Sequence, residues 1–116
     1  MDTPKIFESE YRFCSIVWET EPVNSGELVK RARERLGWSK ATTYTVIRRL
    51  CERGVLKSEN AVVTAQVSRE EAQVSEIDEL VNTRFGGSIP AFIAAFARKQ
   101  ELSEDEIAEI RRIIEK

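Results

Sequence analysis

The chain has 116 residues, enough for one ordinary domain or two very small ones. Charged residues make up 33% and hydrophobic residues 41%, the balance of a soluble globular protein. A net charge of −2 argues against a nucleic-acid binder until the charge is mapped, and the absence of His excludes His-based zinc sites, His general bases and His-containing triads.

The charge is unevenly placed. Residues 30–57 hold nine Lys/Arg and two Glu, a net of +7, while the remainder holds nine Lys/Arg and eighteen Asp/Glu, a net of −9. A basic segment inside an acidic chain is an electrostatic footprint with a direction. The longest apolar run, Ile89 to Ala97, contains Pro90 and falls short of the roughly 20 residues of a membrane span, so no membrane insertion is expected. Met1-Asp2-Thr3-Pro4-Lys5 lacks the layout of a signal peptide, and a cytoplasmic location is expected. Cys14 and Cys51 form no CxxC pair and read as buried thiols packed as small hydrophobes.

In chain order the pattern predicts six helices and one hairpin. The first helix runs from about Ser9 to Glu19, with Tyr11, Cys14, Val17 and Trp18 at helical spacing and Phe13 and Ile16 widening the face. Thr20-Glu21-Pro22 ends it. Asn24 with Glu27 reads as a capping box for a second helix, which places Leu28, Val29, Ala32 and Leu36 on one face and stops at Gly37. Ser39 is the N-cap of a third helix, Lys40 to Arg53, whose core face is Thr43, Val46, Ile47 and Leu50. Gly54 stops it. Val55-Leu56-Lys57 and Val62 to Val67, around a polar turn at Ser58-Glu59-Asn60, read as a hairpin.

Ser68 with Glu71 opens a fourth helix, from Arg69 to about Phe85, before Gly86-Gly87. Pro90 suits the first turn of a fifth helix, and Ser103 with Glu106 caps a sixth. The expected fold is therefore mainly α with a small β-hairpin wing. A winged helix-turn-helix domain spans 1–68, and a C-terminal three-helix dimerisation domain spans 69–116. So short a second segment cannot bury its Ile and Phe side chains alone, and a second copy of the chain would cover them. The candidate dimerisation residues are Val74, Ile77, Val81, Phe85, Phe92, Ile93, Phe96, Ile107, Ile110 and Ile114.

The third helix carries the functional argument. Thr42, Thr45 and Arg49 project as a stripe separate from its core face, with Ser39 and Lys40 at the N-terminus and Tyr44 and Arg48 beside the stripe. Arg can donate twice to guanine, Thr can hydrogen-bond a base or meet the thymine methyl, and Lys or helix N-terminal amides can hold phosphate. Three Thr between positions 42 and 45 suit a merely solvated helix poorly, because β-branching lowers helix propensity. Lys57 is a candidate wing contact to phosphate. These residues point to double-stranded DNA as partner.

Glu10-Tyr11 to Ile16-Val17-Trp18, Gly37-Trp38-Ser39, Thr42 through Thr45 to Arg49-Leu50, and Gly54 resemble the penicillinase-repressor (BlaI/MecI/CopY) family. So do Val67-Ser68, Arg84-Phe85-Gly86-Gly87-Ser88 and Glu101-Leu102-Ser103-Glu104-Asp105-Glu106-Ile107, in register over nearly the whole chain. The resemblance implies a homodimer that binds a palindromic operator and represses promoters. In better-known members a membrane sensor protease detects β-lactam and the repressor is then cut in its C-terminal domain.

Three positions depart from the family pattern. The final residues, Arg111-Arg112-Ile113-Ile114-Glu115-Lys116, carry no Cys, which leaves a copper-sensing mode unsupported. Ala65-Gln66-Val67 stands where a Tyr-Pro-type sequence is expected in the wing. Ala95-Phe96, mid-helix with Phe96 expected in the core, stands where the family's cleavage bond joins Asn to Phe. The alternative function is a winged-helix protein-interaction module without specific DNA binding. An enzyme is not expected, because no nucleophile constellation, phosphate loop or metal set is present, and no cofactor is implied.

Overall fold

The computed structural model describes residues 3–99 and 101–115. It divides into two compact units, one up to Glu76 and one from Ile77 onward. The first unit contains α1 (Glu8–Thr20), β1 (Val23–Asn24), α2 (Ser25–Leu36), α3 (Lys40–Glu52), β2 (Leu56–Glu59) and β3 (Val62–Ala65). The helix α4 (Arg69–Arg84) begins in the first unit and ends in the second, which also holds α5 (Ile89–Lys99) and α6 (Glu104–Ile114).

The division falls inside α4 rather than at Ser68. The reason is Ala72, which is buried in the core of the first unit and ties the first turns of α4 to it. That core gathers Phe13, Cys14, Ile16 and Val17 of α1 with Leu28 and Ala32 of α2, Ile47 and Leu50 of α3, and Val55, Leu56 and Val63 of the hairpin. Thr43, fully buried, satisfies its hydroxyl by donating to the Ser39 carbonyl at 3.0 Å.

Local signals act largely as the sequence implies. Ser39 Oγ accepts from the Thr42 amide at 3.1 Å, and Ser68/Glu71 and Ser103/Glu106 each form the reciprocal pair of a capping box. Asn24 caps α2 differently. Its side chain accepts from the Gly26 amide at 2.7 Å, and Glu27 reaches not back to Asn24 but forward to Arg31, 3.0 Å away. Gly37 is left-handed at φ +72, and its amide and that of Trp38 bond to the carbonyls of Arg33 and Ala32. Trp38 then stacks on Phe13, with ring centroids 5.4 Å apart, and so locks the turn between α2 and α3 to α1.

The hairpin is tighter than the sequence suggests. Ser58 and Glu59 belong to β2, and the turn is the two residues Asn60 and Ala61, both at positive φ. Glu59 pairs with Val62 and Leu56 with Ala65, and a third strand, the unforeseen β1, pairs Val23 with Val63 on the other side of β3. Ala61 at φ +65 is costly, since its Cβ crowds the backbone there. Ala61→Gly should therefore raise stability by about 0.5–1 kcal/mol after the greater chain entropy of Gly is deducted. Thermal melts followed by circular dichroism check this, and an unchanged or lowered midpoint would show that the turn is unstrained.

In the second unit, α5 and α6 contain no buried residue although α5 is predominantly apolar. Phe85 and Phe92 meet edge-on, with centroids 5.6 Å apart. Phe96, expected in the core, is 46% exposed. Val81 is only 3% exposed, so the chain itself buries it and it is withdrawn from the apolar surface.

Candidate nucleic-acid interface

The candidate site is the outward face of α3, held by the buried stripe Thr43, Ile47 and Leu50 on its other side. The helix packs on α2 and β2, and its N-terminus follows the Gly37-Trp38 turn directly. Ser39, Lys40, Thr42, Tyr44, Arg48 and Arg49 are exposed, and Thr45 is half-buried. Each of these was named from sequence, and α3 brings them together along one element. Lys57 lies apart from them, on β2 of the wing.

The ion pairs separate bracing cations from free ones. Arg31 faces Glu27 as an ion pair without hydrogen-bond geometry, Arg35 meets Glu19 at 2.6 Å, and Arg53 meets Glu10 at 2.5 Å. Among the described residues, Lys40, Arg48 and Arg49 have no such partner. Their charges face solvent from a helix whose first turn holds no acid. Such cations, unpaired beside hydroxyls and amides at an N-terminus, are suited to phosphate and base edges.

Arg53 closes the far end of α3. Its partner Glu10 is only 8% exposed, and the same carboxylate oxygen accepts from the Phe7 amide at 2.9 Å. The Arg53 guanidinium also lies over the Phe7 ring, 5.5 Å from its centroid. This brace was missed in the sequence, because a Glu in the first turn of α1 gives no sign of an Arg 43 positions away. Lys30 and Arg33 were counted in the basic block but not as site residues. They lie exposed on α2, away from Leu28 and Ala32, and also lack a partner among the described residues.

The wing differs electrostatically from α3. Lys57 and Glu59 share one face of β2, by the two-residue repeat of a strand, and their charged groups are 3.3 Å apart. The expected phosphate contact of Lys57 is thus offset by an acid beside it. Glu59→Gln should strengthen binding to random duplex DNA by about 2–5-fold at low salt, the size of one exposed pair's worth of charge. Fluorescence anisotropy across a salt series measures this, and unchanged affinity would mean that the wing does not approach the phosphates.

The cysteines add no reactive group to this face. Burial pushes the Cys14 thiol up to about 12, aided by the charge of Glu10. Cys51 is only half-buried, a departure from the fully packed thiol expected, and desolvation raises its pKa as well. No cluster of acids or thiols among the described residues is arranged to hold a metal.

The helix-turn-helix with its three-stranded wing and free cations is the geometry of a DNA-binding domain. The family model described as penicillinase repressor matches residues 6–116. The chain belongs to the penicillinase-repressor family. It is 26% identical to the methicillin resistance regulatory protein MecI of Staphylococcus aureus over 118 residues, covering 98% of this chain and 96% of that one. With the penicillinase repressor of Bacillus licheniformis it shares 25% identity over 116 residues, covering 97% and 91%. Among solved structures it is similar to the Bacillus licheniformis BlaI monomeric form in complex with the blaP half-operator. That match has a TM-score of 0.54 at 25% identity and covers 61% of this chain and 93% of the other. The DNA binding domain of the repressor BlaI matches with a TM-score of 0.52 over the same shares. The penicillinase-repressor family consists of transcriptional repressors with a winged-helix DNA-binding domain, and no helix described here is long and apolar enough to cross a membrane.

Proposed function

We propose that the chain is a homodimeric, cytoplasmic transcriptional repressor that reads a palindromic operator through α3 and answers a β-lactam or other stress signal. The observation that carries this is the row of unpaired Lys40, Arg48 and Arg49 beside Thr42, Tyr44 and Thr45. The half-operator bound by the similar BlaI structure supports DNA as the partner. In this reading α3 enters the major groove, Arg49 donates to a guanine, the threonines meet neighbouring bases, and Lys40 holds phosphate. Ser39 caps the helix and leaves its remaining N-terminal amides free for a phosphate oxygen.

Dimerisation accounts for the second unit. Ile77, Ile93, Phe96, Ile107, Ile110 and Ile114 remain open to solvent in one chain, and so does Val74 on α4. Each such side chain gains about 1.5–3 kcal/mol when fully covered, and a second copy supplies a matching apolar surface. Selection of bound sequences from a random duplex library tests the proposal. A recovered inverted repeat with half-sites near a whole number of turns is the expected result, and a library left unenriched would overturn it.

Release from the operator proceeds, in this reading, without cutting at Ala95–Phe96. A protease pocket that hydrogen-bonds an Asn side chain keeps unpaired polar groups when it meets Ala95. The bond also lies in the middle of α5, so the helix must open before a protease can engage it. Phe96 is exposed, so opening the helix rather than extracting a core residue is the barrier. Mass spectrometry of the repressor from β-lactam-treated cells should find the chain intact at this bond. Fragments ending at Ala95 and beginning at Phe96 would show that a sensor protease cuts there.

A further inference from the structure

We propose that Ser39 is a positioning residue for base recognition. Its hydroxyl holds the Thr42 side chain so that Thr42 offers a hydrogen-bond donor to the base edges, and the operator carries an acceptor at the position Thr42 meets. The inference deepens the reading of α3 as the recognition helix and rests on it.

The hydroxyls of Ser15, Thr20, Thr43 and Thr83 each donate to the backbone carbonyl four residues earlier, at 2.7–3.1 Å. A proton used in this way is withheld from any ligand. Thr42 makes no such bond among the described residues. Its Oγ1 instead accepts from Ser39 Oγ at 3.0 Å. Ser39 Oγ in turn accepts from the Thr42 amide at 3.1 Å. One serine hydroxyl thus holds both the backbone and the side chain of Thr42. A hydroxyl carries one proton and two lone pairs. With one lone pair taken by Ser39, the Thr42 proton stays available on an exposed side chain.

That proton carries sequence information. In the major groove guanine, adenine and thymine present acceptors, whereas cytosine presents only its amino donor. A Thr42 donor set against the cytosine amino group leaves both groups unpaired and desolvated. The fixed rotamer also removes part of the ordering cost of the contact. Capping alone does not need this arrangement. Asp would accept from the Thr42 amide equally well but has no proton to give to Oγ1.

The test uses the full-length chain and the operator recovered by selection, with each base position changed singly. Fluorescence anisotropy compares wild type, Thr42→Val, Ser39→Gly, Ser39→Thr and the double variant Ser39→Gly/Thr42→Val. Gly retains most of the capping stability, so α3 still forms, and Thr restores the hydroxyl. Wild-type affinity should fall about 3- to 10-fold when cytosine replaces the acceptor-bearing base at one position. Thr42→Val and Ser39→Gly should each reduce that discrimination below about twofold at the same position, and the double variant should reduce it no further. Ser39→Thr should keep it. Wild-type discrimination in Ser39→Gly or in Thr42→Val would overturn the proposal and leave α3 as the recognition helix. An equal loss on random duplex would make Thr42 a phosphate ligand and overturn it as well. A library left unenriched by the wild-type chain would overturn the operator reading, and this inference with it.

Discussion

Ile93→Asp and Ile110→Asp should each yield monomers, under the dimeric reading proposed above, and weaken binding to the full operator by about 100- to 10,000-fold. Two linked recognition helices gain from each other because the second engagement is intramolecular, and a monomer forfeits that gain. A carboxylate in an apolar interface must either lose its hydration or keep the surfaces apart. Ile93 is 51% exposed within one chain, so the substitution leaves the fold of the protomer untouched. Phe92 is the poorer choice, since its ring packs on Phe85 inside the chain and its loss would mix folding with assembly. Sedimentation gives the mass, and anisotropy on full and half operators gives the affinities. Half-site binding should be unchanged. Dimers persisting in both variants, with full operator affinity, would remove α5 and α6 from the interface.

Arg49→Ala weakens specific binding by about 1–3 kcal/mol, about 5–150-fold, if its guanidinium holds one guanine. Lys40→Ala acts differently. It lowers affinity for every duplex and flattens the salt slope by about 0.9, the value of one lost phosphate contact. The two outcomes separate base reading from charge attraction on the same helix. Arg49 has no partner among the described residues, so its removal leaves the melting temperature in place. Arg53→Ala serves as the contrast. It strands Glu10 and should cost about 1–3 kcal/mol of stability, less than a fully buried pair because a third of the Arg53 side chain stays in water. Unchanged operator affinity in a stable Arg49→Ala protein would take Arg49 out of the recognition surface.

By itself the sequence determined where helices begin and end and which face of α3 packs into the core. Capping by Ser39, Ser68 and Ser103, the stop at Gly37 and the Thr43–Ile47–Leu50 stripe all depend on residues within a few positions of one another. Such interactions leave a periodic mark in the chain. The family motifs coincide with that mark, so the fold class was legible. The tertiary structure decided what lies between distant segments. The pairing of β1 with β3, the Glu10–Arg53 brace and the Trp18–Val67 bond join residues about 40 to 50 positions apart, and no periodicity announces them. Asn24 shows the competition at one residue: it caps α2 through Gly26 while its backbone joins the sheet, leaving Glu27 to Arg31. Ala61 shows it at another, where strand pairing from Leu56 to Ala65 holds an ordinary residue left-handed. Which cations are free was likewise undecidable from composition. Arg31 finds Glu27 one turn earlier on its own helix, but Arg35 and Arg53 differ from Arg48 and Arg49 only in whether folding brings a distant carboxylate within reach, and that is set by packing over the first unit.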